Sequence, residues 1–295
     1  MTQSEMLSLF LNVYMFALGA VVGSFLNVCI FRLPEKKSLV WPGSHCISCG
    51  SPIRWYDNIP VLSFLILRGE CRRCGQRISW QYPAVELLTA TLFVLLFQQF
   101  DGLALIIYII FTCALVVISF VDLKHYIIPN EISIPGIFIG IGLSLLPARL
   151  TGGEMVLPSS VPFISSGVPT IVGSFLHSLV GCLTGGGVLY LTAVFSLVFL
   201  KKEGMGGGDI KLLAMVGAFL GWQLSILTIM IGAVLGAIVG ITLIFLQIKQ
   251  RTDYIPFGPY LAIGAVLSLL YGDKIWASYL QLGQSLGELI TKALG

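Results

Sequence analysis

The chain has 295 residues, of which 56% are hydrophobic and only 11% charged, with a formal net charge of +3 and a mean hydropathy of +0.94. Soluble domains carry roughly 25% charged residues, so the composition excludes a soluble globular protein and predicts an all-α polytopic membrane protein. Nothing in it points to nucleic acid as a partner.

In chain order, apolar stretches of membrane-spanning character cover residues 6–31, 82–100, 103–121, 126–147, 171–200, 212–248 and 254–272. About 20 residues cross a bilayer. The first stretch is too long and too rich in polar and glycine residues for a signal peptide, no small-residue cleavage site follows it, and it is expected to remain as the first helix. The stretch 212–248 holds 37 residues, far more than one straight crossing of a core about 30 Å thick requires. It must turn, and Gly221-Trp222-Gln223 is the expected place. About eight spans follow. With the amino terminus outside, the 17 Lys and Arg residues distribute so that only Arg149, Lys274 and Lys292 lie outside, as the positive-inside rule prefers. Seven spans would export Lys249 and Arg251. The expected organisation is therefore a first helix over 1–31, a cytoplasmic loop domain over 32–81, a seven-helix membrane domain over 82–272, and an interfacial tail over 273–295 outside.

The loop carries Cys46-Ile47-Ser48-Cys49 and Cys71-Arg72-Arg73-Cys74, separated by residues 50–70 and each followed by glycine, Gly50 and Gly75. This spacing predicts a four-thiolate zinc site, because glycine permits the tight turn that aims both sulfurs at one ion. On the cytoplasmic side thiols remain reduced, which favours metal over disulfide; a redox dithiol pair is the alternative. Four protein ligands leave no open position, so the zinc is structural, a staple for a loop too small to rely on an apolar core. His45 is a substitute ligand should one thiol not serve. Cys29, Cys113 and Cys182 fall in spans, as small apolar residues.

Asp122, in Val121-Asp122-Leu123-Lys124, and Asp209, after Gly204-Met205-Gly206-Gly207-Gly208, fall at the same edge of the membrane in this topology. A carboxylate at a membrane boundary is costly. Each alone has an ordinary reading: Asp209 as a helix cap, Asp122 as a boundary charge beside Lys124 and His125. Together, with glycines that allow close approach, they predict an aspartyl protease dyad that shares one proton and activates water. Gly206, Gly208 and Lys211 support that loop. A phosphate loop fits poorly, since the Walker spacing and the preceding strand are missing.

Gly206-Gly207-Gly208-Asp209 resembles the GxGD signature of polytopic aspartyl proteases, and Gly23-Ser24-Phe25-Leu26-Asn27-Val28-Cys29-Ile30-Phe31-Arg32-Leu33-Pro34 resembles the opening of bacterial prepilin peptidases. Similar to the same family are the paired CxxC motifs, Trp55-Tyr56-Asp57-Asn58-Ile59-Pro60, Tyr82-Pro83-Ala84-Val85-Glu86-Leu87, Asp122 followed by Ile128-Pro129-Asn130, and Lys211-Leu212-Leu213. Presenilin-like enzymes share the GxGD element alone; Val121 stands where they carry tyrosine, and the late motif is Pro256-Phe257-Gly258-Pro259-Tyr260. The resemblance implies a bifunctional enzyme of the bacterial inner membrane that cuts the leader from type IV prepilins or type II secretion pseudopilins after a glycine, without a cofactor. It further implies N-methylation of the new amino terminus, commonly phenylalanine, from S-adenosylmethionine. The family associates methylation with the first loop and its borders, which makes Asn27, Arg32, Asp57, Glu70 and Glu86 candidates by position.

Each has a structural alternative: Arg32 as an anchor, Asp57 as a turn cap, Glu86 as a charge suited to a helix start. Glu86 could also hold the substrate's new positive amino terminus. No Rossmann-type glycine loop points independently to S-adenosylmethionine. A transporter would be expected to show internal repeats and midplane charges, and a zinc-bearing scaffold gives no reason for glycines before Asp209. His177 is expected to hydrogen-bond a neighbouring helix, and Gly185, Gly186, Gly187, Gly232, Gly236 and Gly240 to provide small packing faces. The outer loop over 148–170 carries no readable signal, and 275–294 suits an interfacial helix. The oligomeric state is not encoded in any of these motifs.

Overall fold

The computed structural model describes residues 2–146, 170–201, 206–250 and 254–294. The outer loop expected over 148–170, except Thr170 at the start of α6, and the first two residues of the glycine run, Gly204 and Met205, lie outside them, as do Lys202 and Arg251. Among the described residues there is no strand, and the elements are α1 Gln3–Arg32, a 3-10 turn Trp55–Asn58, α2 Leu62–Ile66, α3 Gln81–Phe97, α4 Gly102–His125, α5 Asn130–Leu143, α6 Thr170–Phe195 with a π-helical turn Ser196–Leu200, α7 Gly207–Phe245 and α8 Gly258–Leu294. Five of these are long and apolar enough to cross a membrane, and α3 and α5 are shorter apolar helices. The protein is a multi-pass membrane protein.

The 39-residue α7 is broken at Gly221, whose φ of 79° and ψ of 178° are non-helical. Its two arms, with α1, α3, α4, α5, α6 and α8, make eight apolar helical segments, and the turn falls where the length of 212–248 requires it. The carbonyls that the break releases are taken up locally. Ser178 Oγ donates to Ala218 O at 2.7 Å, and Ser225 Oγ to Gly221 O at 2.7 Å.

The chain divides into two compact units, with the boundary at Ile132 in the first turn of α5. In the first unit α1 and α3 run antiparallel in close contact. A Cβ on Gly19 would meet Ala90 Cα at 2.7 Å, and one on Gly23 would meet Glu86 Cα at 2.8 Å. One turn further on, Asn27 reaches the Tyr82 carbonyl. Small residues four apart let helix backbones touch, which is how packing holds helices together where lipid removes the hydrophobic drive. Val85, Phe93, Tyr108, Phe111, Leu115 and Ile118 fill the core beside this crossing.

The second unit is built on the same device. A Cβ on Gly217 of α7 would lie 2.0 Å from Gly181 O of α6, and one on Gly185 would lie 2.4 Å from Leu213 O. Gly232 and Gly236 pack on α8 through Leu261, Phe257 and Tyr260, as the glycine pattern predicts, while Gly187 faces open space. His177 is buried, but the hydrogen bond expected of it is absent among the described residues: neither ring nitrogen has a partner, and the ring packs on the Gly221 backbone instead. The interhelical bond is made by its neighbour Ser178, whose short hydroxyl reaches Ala218 O. Phe10, Ile241 and Phe245 are well exposed on their helices, as lipid-facing side chains must be. Helix α8 continues without a break from the last span into the expected tail.

Candidate functional sites

The loop between α1 and α3 contains two matching hairpins. Gly50 N–H donates to Cys46 O and Gly75 N–H to Cys71 O, both at 2.9 Å, with the glycines in the left-handed region at φ 66° and 68°. Each hairpin is closed behind its cysteines by a backbone bridge, His45 with Pro52 and Glu70 with Arg77. Cysteine would be strained at the glycine conformation, so the Cys-x-x-Cys-Gly order itself produces the turn. The result brings Cys46, Cys49, Cys71 and Cys74 together with all four sulfurs within 4.8 Å of one another.

Cys46 Sγ and Cys74 Sγ are 3.8 Å apart. That equals the edge of a tetrahedron with metal–sulfur bonds of about 2.3 Å, so the four thiols could hold one metal ion. Protons on the cluster are already unequal. The Cys49 thiol is lowered to about 6, first by the Ser51 hydroxyl and then by its backbone, whereas Cys74, despite a backbone hydrogen bond from Gln76, is raised to about 11 by burial and the neighbouring thiols. Four adjacent thiols cannot all ionise without a cation to balance them. His45 turns away, with Nδ1 at 2.9 Å from Gly43 O. No disulfide occurs among the described cysteines.

The second hairpin is tied to the turn that follows the first. Arg72 grips Asp57 through Nε, at 3.0 Å from both carboxylate oxygens, and through Nη2 at 2.7 Å from Oδ1, with its guanidinium also over the Tyr56 ring. The Arg72 guanidinium holds the Asp57 carboxyl below its ordinary value. Arg32 is likewise committed, donating to Ser38 O at 2.9 Å and Pro42 O at 2.7 Å, so it tethers the start of the loop to the end of α1.

Between the loop and the ends of α1 and α3 lies a cavity of about 1640 Å³. Of the positional candidates, Asn27, Arg32, Asp57 and Glu86 line it; Glu70 is exposed and does not. Its wall includes the stacked rings of Phe31 and Tyr82, 5.2 Å between centroids, with Lys124 over Phe31. Glu86 accepts a 2.8 Å hydrogen bond from Val61 N–H. Val61 itself holds a φ of 61°, rare for a β-branched residue. Sequence reasoning missed Val61, Tyr82 and Ser24 in this site, although the Trp55-Tyr56-Asp57-Asn58-Ile59-Pro60 motif marks the turn that delivers Val61.

The aspartates occupy helix ends. Asp122 is 3% exposed near the carboxyl end of α4, where Tyr126 in the left-handed region returns its N–H to Asp122 O. Asp209 is 4% exposed in the first turn of α7, behind the helix cap Gly206, and Gly208 and Lys211 share its first turns. A Cβ on Gly206 would sit 3.4 Å from Asp209 Oδ2 and 3.6 Å from the Tyr254 hydroxyl. Tyr254 is therefore a neighbour of this carboxylate that the motif did not announce.

Family models match both parts of the chain: the bacterial peptidase A24 N-terminal domain over residues 17–100 and the type IV leader peptidase family over residues 109–241. A prepilin leader peptidase/N-methyltransferase of Pseudomonas putida is 36% identical over 288 residues, covering 90% of this chain and 92% of that protein. Proteins of the same name from Aeromonas salmonicida and Pseudomonas aeruginosa are also 36% identical, over 91% and 90% of this chain and 92% and 91% of their own lengths. No solved structure matches. With similarity running from the glycine crossing of α1 through the cysteine hairpins to both aspartate helices, the chain belongs to the type IV leader peptidase family.

Proposed function

We propose that this protein cleaves the leader from type IV prepilins or type II secretion pseudopilins and N-methylates the amino terminus so exposed. The observation that carries the reading is the burial of Asp122 and Asp209 at helix ends of an apolar chain that matches a leader peptidase over 90% of its length. Burying two carboxylates at the membrane boundary is costly, which favours a functional use for them.

Asp122 and Asp209 act as a dyad that holds one proton between them. The ionised carboxylate takes a proton from water as its oxygen attacks the scissile carbonyl, and the protonated one donates to the departing amine. Gly206 and Gly208 give the chain close approach to Asp209, and Lys211 supports that turn. The site faces the cytoplasm from the inner membrane, the chain being organised as a first helix over 1–31, the loop over 32–81, a membrane domain over 82–272 and a tail beyond. A basic leader then stays in the cytoplasm while the apolar pilin helix lies in the bilayer.

The ion of the four-cysteine site is zinc, whose tetrahedral preference suits four thiolates and whose role there is structural. Methylation uses the cavity between the loop and α1 and α3. Bound S-adenosylmethionine would supply an electrophilic methyl group; the aromatic pair Phe31 and Tyr82 fits its flat base, and the carboxylate Glu86 is kept for the amine that accepts the methyl. Arg32 and Asp57 act through the wall they brace, and Glu70 acts from outside it.

The test is cleavage of a prepilin in membranes by wild type, Asp122→Asn and Asp209→Asn at matched expression and zinc content. Loss in both variants with zinc retained supports the dyad. Full cleavage by either variant removes it.

A further inference from the structure

Three carboxylates line the cavity, and two are already neutralised: Glu35 by Lys37 and Asp57 by Arg72. Glu86 has no cationic partner among the described residues; it accepts hydrogen bonds from the Val61 amide and the Ser24 side chain. On the facing helix, Asn27 is 1% exposed and uses its Nδ2 for Gly23 O and Tyr82 O, while its Oδ1 has no partner. A helix interior offers no spare N–H, because each is spent on the carbonyl four residues earlier. An orphaned amide oxygen of this kind is costly to bury.

The glycine crossing explains how the two acceptors come to share a floor. Gly23 packs on Glu86 and Asn27 reaches Tyr82, and Glu86 lies one turn beyond Tyr82 on α3. A carboxylate with no salt-bridge partner among the described residues and an amide oxygen with no donor want a ligand that carries several N–H donors and positive charge. A carboxylate or phosphate offers no donor to the Asn27 oxygen.

We infer that Asn27 Oδ1 and the Glu86 carboxylate form a binding subsite for a protonated primary amine, and that its occupant is the free α-amino group of the cleaved pilin. This rests on the methylation reading above and deepens it, since it says which residues recognise the acceptor amine. The amine's three N–H bonds match two acceptors with room for a third contact, and an acylated or fully substituted nitrogen satisfies neither the charge nor the donors. The subsite therefore separates cleaved from uncleaved substrate.

The test needs no turnover. Full-length protein in nanodiscs, with zinc content and thermal stability matched, is titrated with a peptide whose amino-terminal phenylalanine is free, and with the same peptide acetylated. The free amine is expected to bind at least tenfold more tightly to wild type. Glu86→Gln, which is isosteric, and Asn27→Leu each erase most of that preference, while affinity for the acetylated peptide is kept. A second arm titrates S-adenosylhomocysteine, which also carries an α-amine; its affinity should be unchanged by Glu86→Gln. Equal binding of both peptides to wild type, or retention of the preference in Glu86→Gln, overturns the subsite. Loss of S-adenosylhomocysteine binding with the peptide preference intact assigns the acceptors to the methyl donor and overturns the occupant. Failure of wild type to cleave a prepilin would instead sink the proposed activity, whatever these titrations give.

Discussion

Gly221 is the position where one added carbon has the most predictable consequence. Its φ of 79° with ψ of 178° lies in a region that is essentially glycine-only, where another residue costs about 1–3 kcal/mol in backbone strain. A Cβ there would also lie 1.8 Å from His177 Nε2. That overlap must be relieved by moving a buried ring, at about 1–3 kcal/mol more. Gly221→Ala should therefore lose about 2–6 kcal/mol, the sum of the two terms. The terms separate by a double-mutant cycle, because His177→Ala removes the collision and leaves the backbone strain. Gly221→Ala introduced into His177→Ala should cost only about 1–3 kcal/mol, a coupling as large as the steric term. Reversible unfolding in detergent or lipid measures all four proteins. A Gly221→Ala variant as stable as wild type, or a cycle with no coupling, refutes both the break in α7 and the packing of His177 against it.

Gly23→Ala places a Cβ 2.8 Å from the Glu86 backbone and should destabilise the first unit by about 1–3 kcal/mol, whereas Gly43→Ala, with nothing within 4 Å, should be silent in the same unfolding assay. Ser178→Ala strips the donor from Ala218 O in the second unit, for a loss of about 0.5–2 kcal/mol by the same measurement. Cys71→Ser should abolish stoichiometric metal retention, read by elemental analysis, and expose the segment around residues 44–78 to protease. Asp57→Asn releases the Arg72 clamp and should loosen the same hairpin. Because Arg72 lowers the folded pKa of Asp57, the clamp's contribution is fully present above the unfolded value of about 3.9 and is lost only as pH falls through the depressed folded value. The ratio of metal retention between wild type and Asp57→Asn should accordingly be the same at pH 5.5 and pH 7.5, and a ratio that changes across that window contradicts the assignment.

Local chemistry was the readable part of this chain. The cysteine hairpins follow from four residues and a glycine each, so the spacing alone predicts the 4.8 Å cluster. The break in α7 follows from length, since the 37 residues over 212–248 would extend about 55 Å as one helix. What depended on a partner helix was not readable. Gly181 and Gly217 each begin a Gly-x-x-x-Gly pair, with Gly185 and Gly221, but only the partner helix shows that the two pairs face each other in the closest backbone approach of the second unit. His177 was expected to find a hydrogen bond, but the neighbouring serine was nearer the released carbonyl. Arg32, Asp57 and Glu70 were equivalent by position; only the path of the loop commits Arg32 to Ser38 and Pro42, pairs Asp57 with Arg72, and leaves Glu70 outside the cavity.

The polar side chains inside the helices divide by whether their own helix can satisfy them. Thr89, Ser119, Ser225 and Thr228 each donate to the carbonyl four residues earlier. A hydroxyl in a helix is thus cheap to bury, and its presence says little about function. An amide oxygen or a carboxylate has no such refuge, because the helix holds spare carbonyl lone pairs but no spare N–H. Asn27 shows both halves of the rule within one side chain: its donors are used by Gly23 and Tyr82, and its acceptor is left over. Acceptors buried in helices are therefore the residues that must be answered from elsewhere, by another chain, a proton or a ligand. Among the described residues Asn27, Glu86 and Asp122 are buried acceptors of this kind, while Asp209 is buried in the first turn of α7, where helix N–H groups are still unspent; the proposed methylation and cleavage depend on these four.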